Sequence, residues 1–365
     1  MDPIAHTLFG ATLAEAGLKK TTRYATAALL IGANLPDIDG IASLVSSDFA
    51  LYWRRGWSHG VLAMVLLPLL LWLLLRAWHR WRHGPRPDPG FSSRWLLLMC
   101  AIGVWSHPLL DWLNTYGVRL LMPFDDRWFY GDTLFIIDPW FWLLAAAGVV
   151  VARTQRLPAQ LLWTVLAILL SWLVLSTSLV PPWVKLGWLA GIGLILLLRL
   201  LRVPAQPVAG GGLLVLLIYI GCLFGLGRLA EAELLARHPD ATEAQANPLP
   251  GTPLQQRLIL ISQDHYRVIR AGEADIVVAR QEPDAVVKAA MADPSVHGFV
   301  NWMRYPYWHV LPDGENWRVN LRDLRYTNPG EESPGIGSVW VTVTAQQVEQ
   351  QRSAKPDSPG NPGKH

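Results

Sequence analysis

The sequence predicts a mainly α fold, a polytopic transmembrane helical bundle followed by a small soluble α+β domain. Three observations carry this expectation. The 365 residues are 52% hydrophobic and 16% charged, against about a quarter charged in an ordinary globular domain. Nineteen tryptophans suit a protein with aromatic belts at two membrane interfaces. The composition then changes near residue 230. Residues 1–230 carry 18 Lys+Arg against 11 Asp+Glu, and residues 231–365 carry 13 against 17. We therefore expect a membrane domain at 1–230, a soluble α+β domain at 231–345, and a disordered tail at 346–365, rich in Gln, Ser, Pro and Gly.

A transmembrane helix needs roughly 20 mostly apolar residues. Such runs fall at about 60–78, 95–113, 134–152, 159–179, 184–201 and 209–229. A shorter apolar segment occupies 24–39, and an amphipathic one occupies 6–18, ending in Lys19-Lys20. Basic clusters set the orientation. Lys19, Lys20 and Arg23 follow the first segment, and Arg76 to Arg94 fill the loop after the 60–78 run. Arg153 and Arg156, then Arg199 and Arg202, follow two later runs. Placing all of these in the cytoplasm gives one consistent topology under the positive-inside rule, with residues after 230 outside. Arg54-Arg55 is the exception.

Within the soluble domain, β-rich runs at 257–261, 275–279, 317–321 and 339–343 predict strands, with a turn at Pro312-Asp313-Gly314 and a helix over 284–293. Cys100 and Cys222 both sit in apolar runs and read as inert packing residues. The N-terminus lacks a basic n-region, so no cleavable signal peptide is expected. Nor is a nucleic-acid partner.

The polar residues of the membrane part are unevenly placed. No Asp or Glu occurs from Pro139 to Ala230. Before that, His6, Asp37, Asp39, His59, His107, Asp111, Asp132 and Asp138 interrupt apolar sequence. Ionisable groups in a bilayer-embedded bundle are costly and usually face its interior, and His with carboxylate is the donor set that zinc and its neighbours prefer. In the expected topology, segments 6–18 and 24–39 form a hairpin whose arms rise about 20 Å each. His6 then lies level with Asp37 and Asp39, and His59, His107, Asp111 and Asp138 reach the same depth towards the outer face. His107 and Asp111, four residues apart, share a helix face, although Pro108 disfavours helical geometry at His107. Asp138 is expected as a ligand or as a carboxylate supporting one. Arg55 is a candidate for binding an anionic substrate group, since guanidinium suits phosphate and carboxylate.

Together these motifs resemble the YdjM family of bacterial inner-membrane, metal-dependent hydrolases. They are His6-Thr7 with a following Gly, Asn34-x-Pro-Asp-x-Asp, Arg55-Gly-x-Ser-His, His107-Pro-x-x-Asp-x-x-Asn-x-x-Gly and Asp138-Pro. The likeness covers about residues 1–140. More remotely, the order His, Asp, His, His-x-x-x-Asp is similar to the zinc-dependent phospholipase C and P1 nuclease group. These resemblances imply His6, Asp37, Asp39, His59, His107 and Asp111 as ligands of one or two divalent ions, zinc foremost. A three-metal cluster is not expected, because no later His-x-x-x-Glu pair occurs in the membrane region. Whichever of Asp37 and Asp39 leaves the metal free would act as the catalytic base. The expected function is hydrolysis of a phosphoester or lipid-derived substrate at the outer face of the bacterial inner membrane, with membrane lipids as surroundings. A metal-ion transporter, or an anchor with a structural metal, is the alternative.

Overall fold

The computed structural model describes residues 1–270, 272–330 and 335–353. In chain order the helices begin with α1 (Pro3–Glu15), α2 (Ala25–Gly32), α3 (Ser47–Trp53), α4 (Val61–His83) and α5 (Ser93–Trp112). They continue with α6 (Pro139–Arg153), α7 (Leu157–Ser176), α8 (Pro182–Leu200) and α9 (Ala205–Arg237). Strands β1 (Ala241–Leu249), β2 (Thr252–Ser262), β3 (His265–Ile269) and β4 (Ile276–Ala279) follow. The chain closes with α10 (Ala285–Met291), α11 (His297–Trp302), β5 (Pro306–Asp313), β6 (Asn316–Asp323), β7 (Ser338–Val343) and α12 (Ala345–Ser353). These elements fall into two compact units. One is Met1–Ile38, Arg55–Arg228 and Pro248–Gln256, and the other is Asp39–Arg54, Leu229–Asn247 and Arg257–His365. The units interleave in sequence, where composition alone suggested a single boundary near 230.

The first unit is helical. Six stretches are long and apolar enough to cross a membrane: α4, α5, α7, α8, α9, and α2 with its 3-10 continuation to Leu44. Leucines along α4, α7 and α8, such as Leu74, Leu162 and Leu186, face outwards, as lipid-facing side chains do. The expected span 134–152 is replaced by the shorter α6. Its 15 residues rise about 22 Å, less than a hydrocarbon core of about 30 Å. Asp138 stops it early by capping its N-terminus, accepting from the Phe141 amide at 2.9 Å. Phe141, Trp142, Leu143 and Ala145 are buried, so α6 serves as an interior helix.

Pro68 sits inside α4 and Pro108 inside α5. Pro68 deprives the Met64 carbonyl of its helical donor, and the indole N–H of Trp105 donates to that carbonyl at 2.7 Å. Pro108 does not break α5, contrary to the bias at the residue before proline. His107 stays helical within Ser93–Trp112, because packing on both sides overrides the local preference. Close approach is the reason such packing is possible. A Cβ on Gly32 would stand 2.9 Å from the Val104 amide, and one on Gly103 would stand 2.9 Å from the Ala28 carbonyl. Small residues let α2 and α5 meet backbone to backbone, as membrane helices commonly do.

The second unit holds two antiparallel sheets, β1-β2-β3-β4 and β5-β6-β7. Val310 pairs with Val319 and Asp313 with Asn316, around a turn at Gly314 whose φ is +64°. Ile259, Tyr266, Val268, Tyr305, Tyr307 and Leu324 form a core. Asp48 of α3 caps α11, accepting from the amides of Gly298 and Phe299 at 3.0 and 2.9 Å. Residues 346–353 of the expected disordered tail are helical instead, within α12. The rest of that expectation, 354–365, lies outside the described residues.

Candidate metal centre

The donors of the site arrive on four stretches of the helical unit, two of them together on α5. His6 is in the first turns of α1, which Asp2 caps by accepting from the Ala5 amide at 3.0 Å. Thr7, its neighbour, donates to Asn34 Oδ1 at 3.0 Å and so ties α1 to the end of α2. Asp37 follows in the 3-10 continuation. His59 sits in the turn before α4, and His107 and Asp111 share one face of α5. His6, His59 and His107 are all 0% exposed, and Asp111 is 1% exposed.

The donor atoms crowd closely enough to share one ion. His107 Nε2 lies 3.6 Å from Asp37 Oδ1 and 3.7 Å from Asp111 Oδ2. His59 Nε2 is 3.4 Å from Asp111 Oδ2, and His6 Nε2 is 3.2 Å from Asp111 Oδ1. The His6 and His107 rings stack with centroids 3.7 Å apart. Two overlapping trios, His6–His107–Asp111 and Asp37–His59–His107, have donor atoms within 4.8 Å of one another.

These residues fit a divalent ion. Donors about 2.0–2.2 Å from a tetrahedral centre stand roughly 3.3–3.6 Å apart, close to the separations above. His107 Nδ1 donates to the Ala33 carbonyl at 2.6 Å, which leaves the Nε2 lone pair directed at the carboxylates. Fixing a ring this way is the usual support for a ligating histidine. His107 Nε2 and His6 Nδ1 are buried without a hydrogen-bond partner among the described residues, an arrangement costly for any polar atom that binds nothing. With Nδ1 engaged at Ala33, His107 has one lone pair to offer, so both trios cannot each hold an ion through it.

Arg55 takes a different place from the one expected. Its Nε lies 2.9 Å from Asp111 Oδ2, and its Nη1 donates to Asn114 Oδ1 at 2.8 Å and to the Gly117 carbonyl at 3.3 Å. The Tyr116 ring lies 4.3 Å beneath the guanidinium. Arg55 thus braces Asp111. The Met1 amine also contacts Asp111. Asn114 and Gly117 stand at fixed intervals after Asp111, and that spacing was the available signal for this brace. The Ala33 carbonyl, a backbone group, had none.

Two expected residues stand apart. Asp39 belongs to neither donor trio and opens the other compact unit. Asp138 is also in neither. Besides its helix cap, it accepts from the Tyr219 hydroxyl at 2.9 Å and the Gly251 amide at 3.2 Å. Those donors occupy its oxygens.

The fold and this cluster define a class of protein: a multi-pass membrane protein with a buried histidine–carboxylate centre among its first helices. Residues 1–180 match the family model described as YdjM inner membrane protein, a longer stretch than the motifs span. Residues 1–180 belong to that family, and the chain is a multi-pass inner-membrane protein. No curated protein and no solved structure matches it, so the remote likeness to the phospholipase C and P1 nuclease group is not shown.

Proposed function

We propose that this protein is a membrane-bound metal-dependent hydrolase whose substrate is a phosphoester or a lipid-derived molecule. One observation carries the reading: three imidazoles and two carboxylates converge in a buried site where His6 Nδ1 and His107 Nε2 have no hydrogen-bond partner among the described residues. His6, His59, His107, Asp37 and Asp111 would hold the ion. The chemistry a divalent ion such as zinc supplies in this donor set is Lewis-acid polarisation and activation of water. The protein's own part is orientation. Ala33 fixes His107, and Arg55 holds the Asp111 carboxylate in place. Asp37, with 19% of its side chain exposed, is the member best placed to exchange a proton with an incoming substrate.

The test is metal analysis of the purified protein, followed by a phosphodiesterase and lipid-hydrolysis screen. We expect bound divalent metal and turnover in the wild type. Both should be lost in His107→Ala and Asp111→Ala, which should still insert. Metal retained in both variants would overturn the assignment. Metal bound without turnover would favour a structural ion, the reading that the near-complete burial of the histidines supports. The outer-face location has its own test. A reporter active only in the periplasm should work when fused after Val343 and stay silent within 79–94.

A further inference from the structure

A second site opens at the far end of α1, where the helical unit gathers three cations from two separate parts of the chain. A cavity of about 430 Å³ is lined by Lys19 after α1, Gln155 after α6, and Arg199 and Arg202 at the end of α8. Val151, Val203 and Pro204 supply apolar wall. No carboxylate lines it. Lys19 lies beyond the end of α1, whose rise from His6 to Glu15 is about 14 Å, so this cavity is distinct from the metal centre.

The cations are not equally committed. Lys19 pairs with Glu15, whose other oxygen takes Arg153 Nε at 2.8 Å. Arg199 is fastened by its Nε to Thr154 Oγ1 at 3.0 Å and by its Nη2 to the Thr154 carbonyl and Gln155 Oε1 at 3.0 and 3.1 Å. That anchoring fixes one guanidinium at the cavity wall. The Arg202 side chain has no hydrogen bond or ion pair among the described residues, and its backbone stands in the left-handed region at φ +54°. The cavity therefore presents one anchored and one uncommitted guanidinium beside an ammonium group. Planar guanidinium pairs suit phosphate oxygens, which accept two hydrogen bonds at once.

We propose that this cavity binds a phosphate group, carried by the headgroup of an anionic phospholipid or by a soluble phosphate. Basic pockets between membrane helices are suited to anionic headgroups, and the apolar wall offers a surface to the first carbons of an acyl chain.

The experiment uses the full-length protein in zwitterionic detergent micelles, read by native mass spectrometry. The probes are dioleoyl phosphatidylglycerol, dioleoyl phosphatidylcholine and inorganic phosphate. We expect phosphatidylglycerol to be retained over phosphatidylcholine. Lys19→Gln combined with Arg202→Asn should weaken that retention roughly 10- to 30-fold. Asparagine tolerates the left-handed backbone at 202, and if the double variant fails to insert, Arg202→Asn alone decides. Arg156→Gln, outside the cavity, removes one charge as Arg202→Asn alone does, and should change nothing. Competition by inorganic phosphate at concentrations matching the lipid would identify a soluble phosphate as the ligand. Retention undiminished in the variants, or diminished equally by Arg156→Gln, would overturn the proposal.

Discussion

Among the described residues an aspartate is buried against an arginine in each of the two units, with opposite outcomes for the atoms around them. In the second unit, Asp323 and Arg325 are both 0% exposed and paired at 2.8 Å. Asp323 also accepts from the Arg304 and Arg325 amides at 2.7 and 2.8 Å. Arg325 donates to the Trp302 carbonyl at 2.9 Å and lies over the Trp302 ring at 4.6 Å. Donor matches acceptor throughout. In the helical unit, Asp111 and Arg55 pair at 2.9 Å, yet His6 Nδ1 and His107 Nε2 beside them are buried without a hydrogen-bond partner among the described residues. A buried ion pair surrounded by completed hydrogen bonds holds a fold together. One surrounded by unspent lone pairs is built around something else.

That comparison can be broken in order of effect. Asp323→Ala strands a buried guanidinium and should destabilise the second unit by about 3–5 kcal/mol, read by its thermal unfolding, while bound metal stays constant. Loss of metal with this variant would show that the two pairs are not separate in kind. Arg55→Met should do the reverse, weakening metal affinity about 10- to 100-fold in a competition titration against a chelator, with little change in unfolding of the second unit. Gly103→Val drives α5 away from α2 and should cost about 1–3 kcal/mol, separating His107 from the Ala33 carbonyl. The imidazole NMR signal of His107 should then lose its fixed Nδ1–H. Trp105→Phe leaves only the Met64 carbonyl unpaired, a loss of about 1 kcal/mol. It sharpens the contrast if metal affinity is unchanged.

Much of the bundle and part of the centre were legible in the sequence, for identifiable reasons. Apolar runs and basic loops are long-range features that need no tertiary information, so α4, α5, α7, α8 and α9 fell where they were expected. His107 and Asp111 could be paired because four residues return to the same helix face. The gathering of His6, Asp37 and His59 with them followed from topology alone. What could not be read depended on partners distant in sequence. The length of α6 is set where Asp138 caps it. The role of Asp138 waits on Tyr219 and Gly251, and that of Arg55 on Asn114. Pro108 misled because a local preference of one residue is weaker than the packing of a whole helix through Gly32 and Gly103.

The segment Asp39–Arg54, which clusters with the second unit, bears on the order of synthesis. Asp48 finds its capping partner at Gly298, 250 residues later. At 5–20 residues per second, the ribosome needs on the order of 10–50 s to deliver it. Throughout that interval the stretch joining Asp37 to Arg55 must wait without α11, while α4 to α9 are already being handed to the membrane. Proteolysis of nascent chains arrested before residue 297 should therefore cut within 39–54, and chains released at full length should resist it.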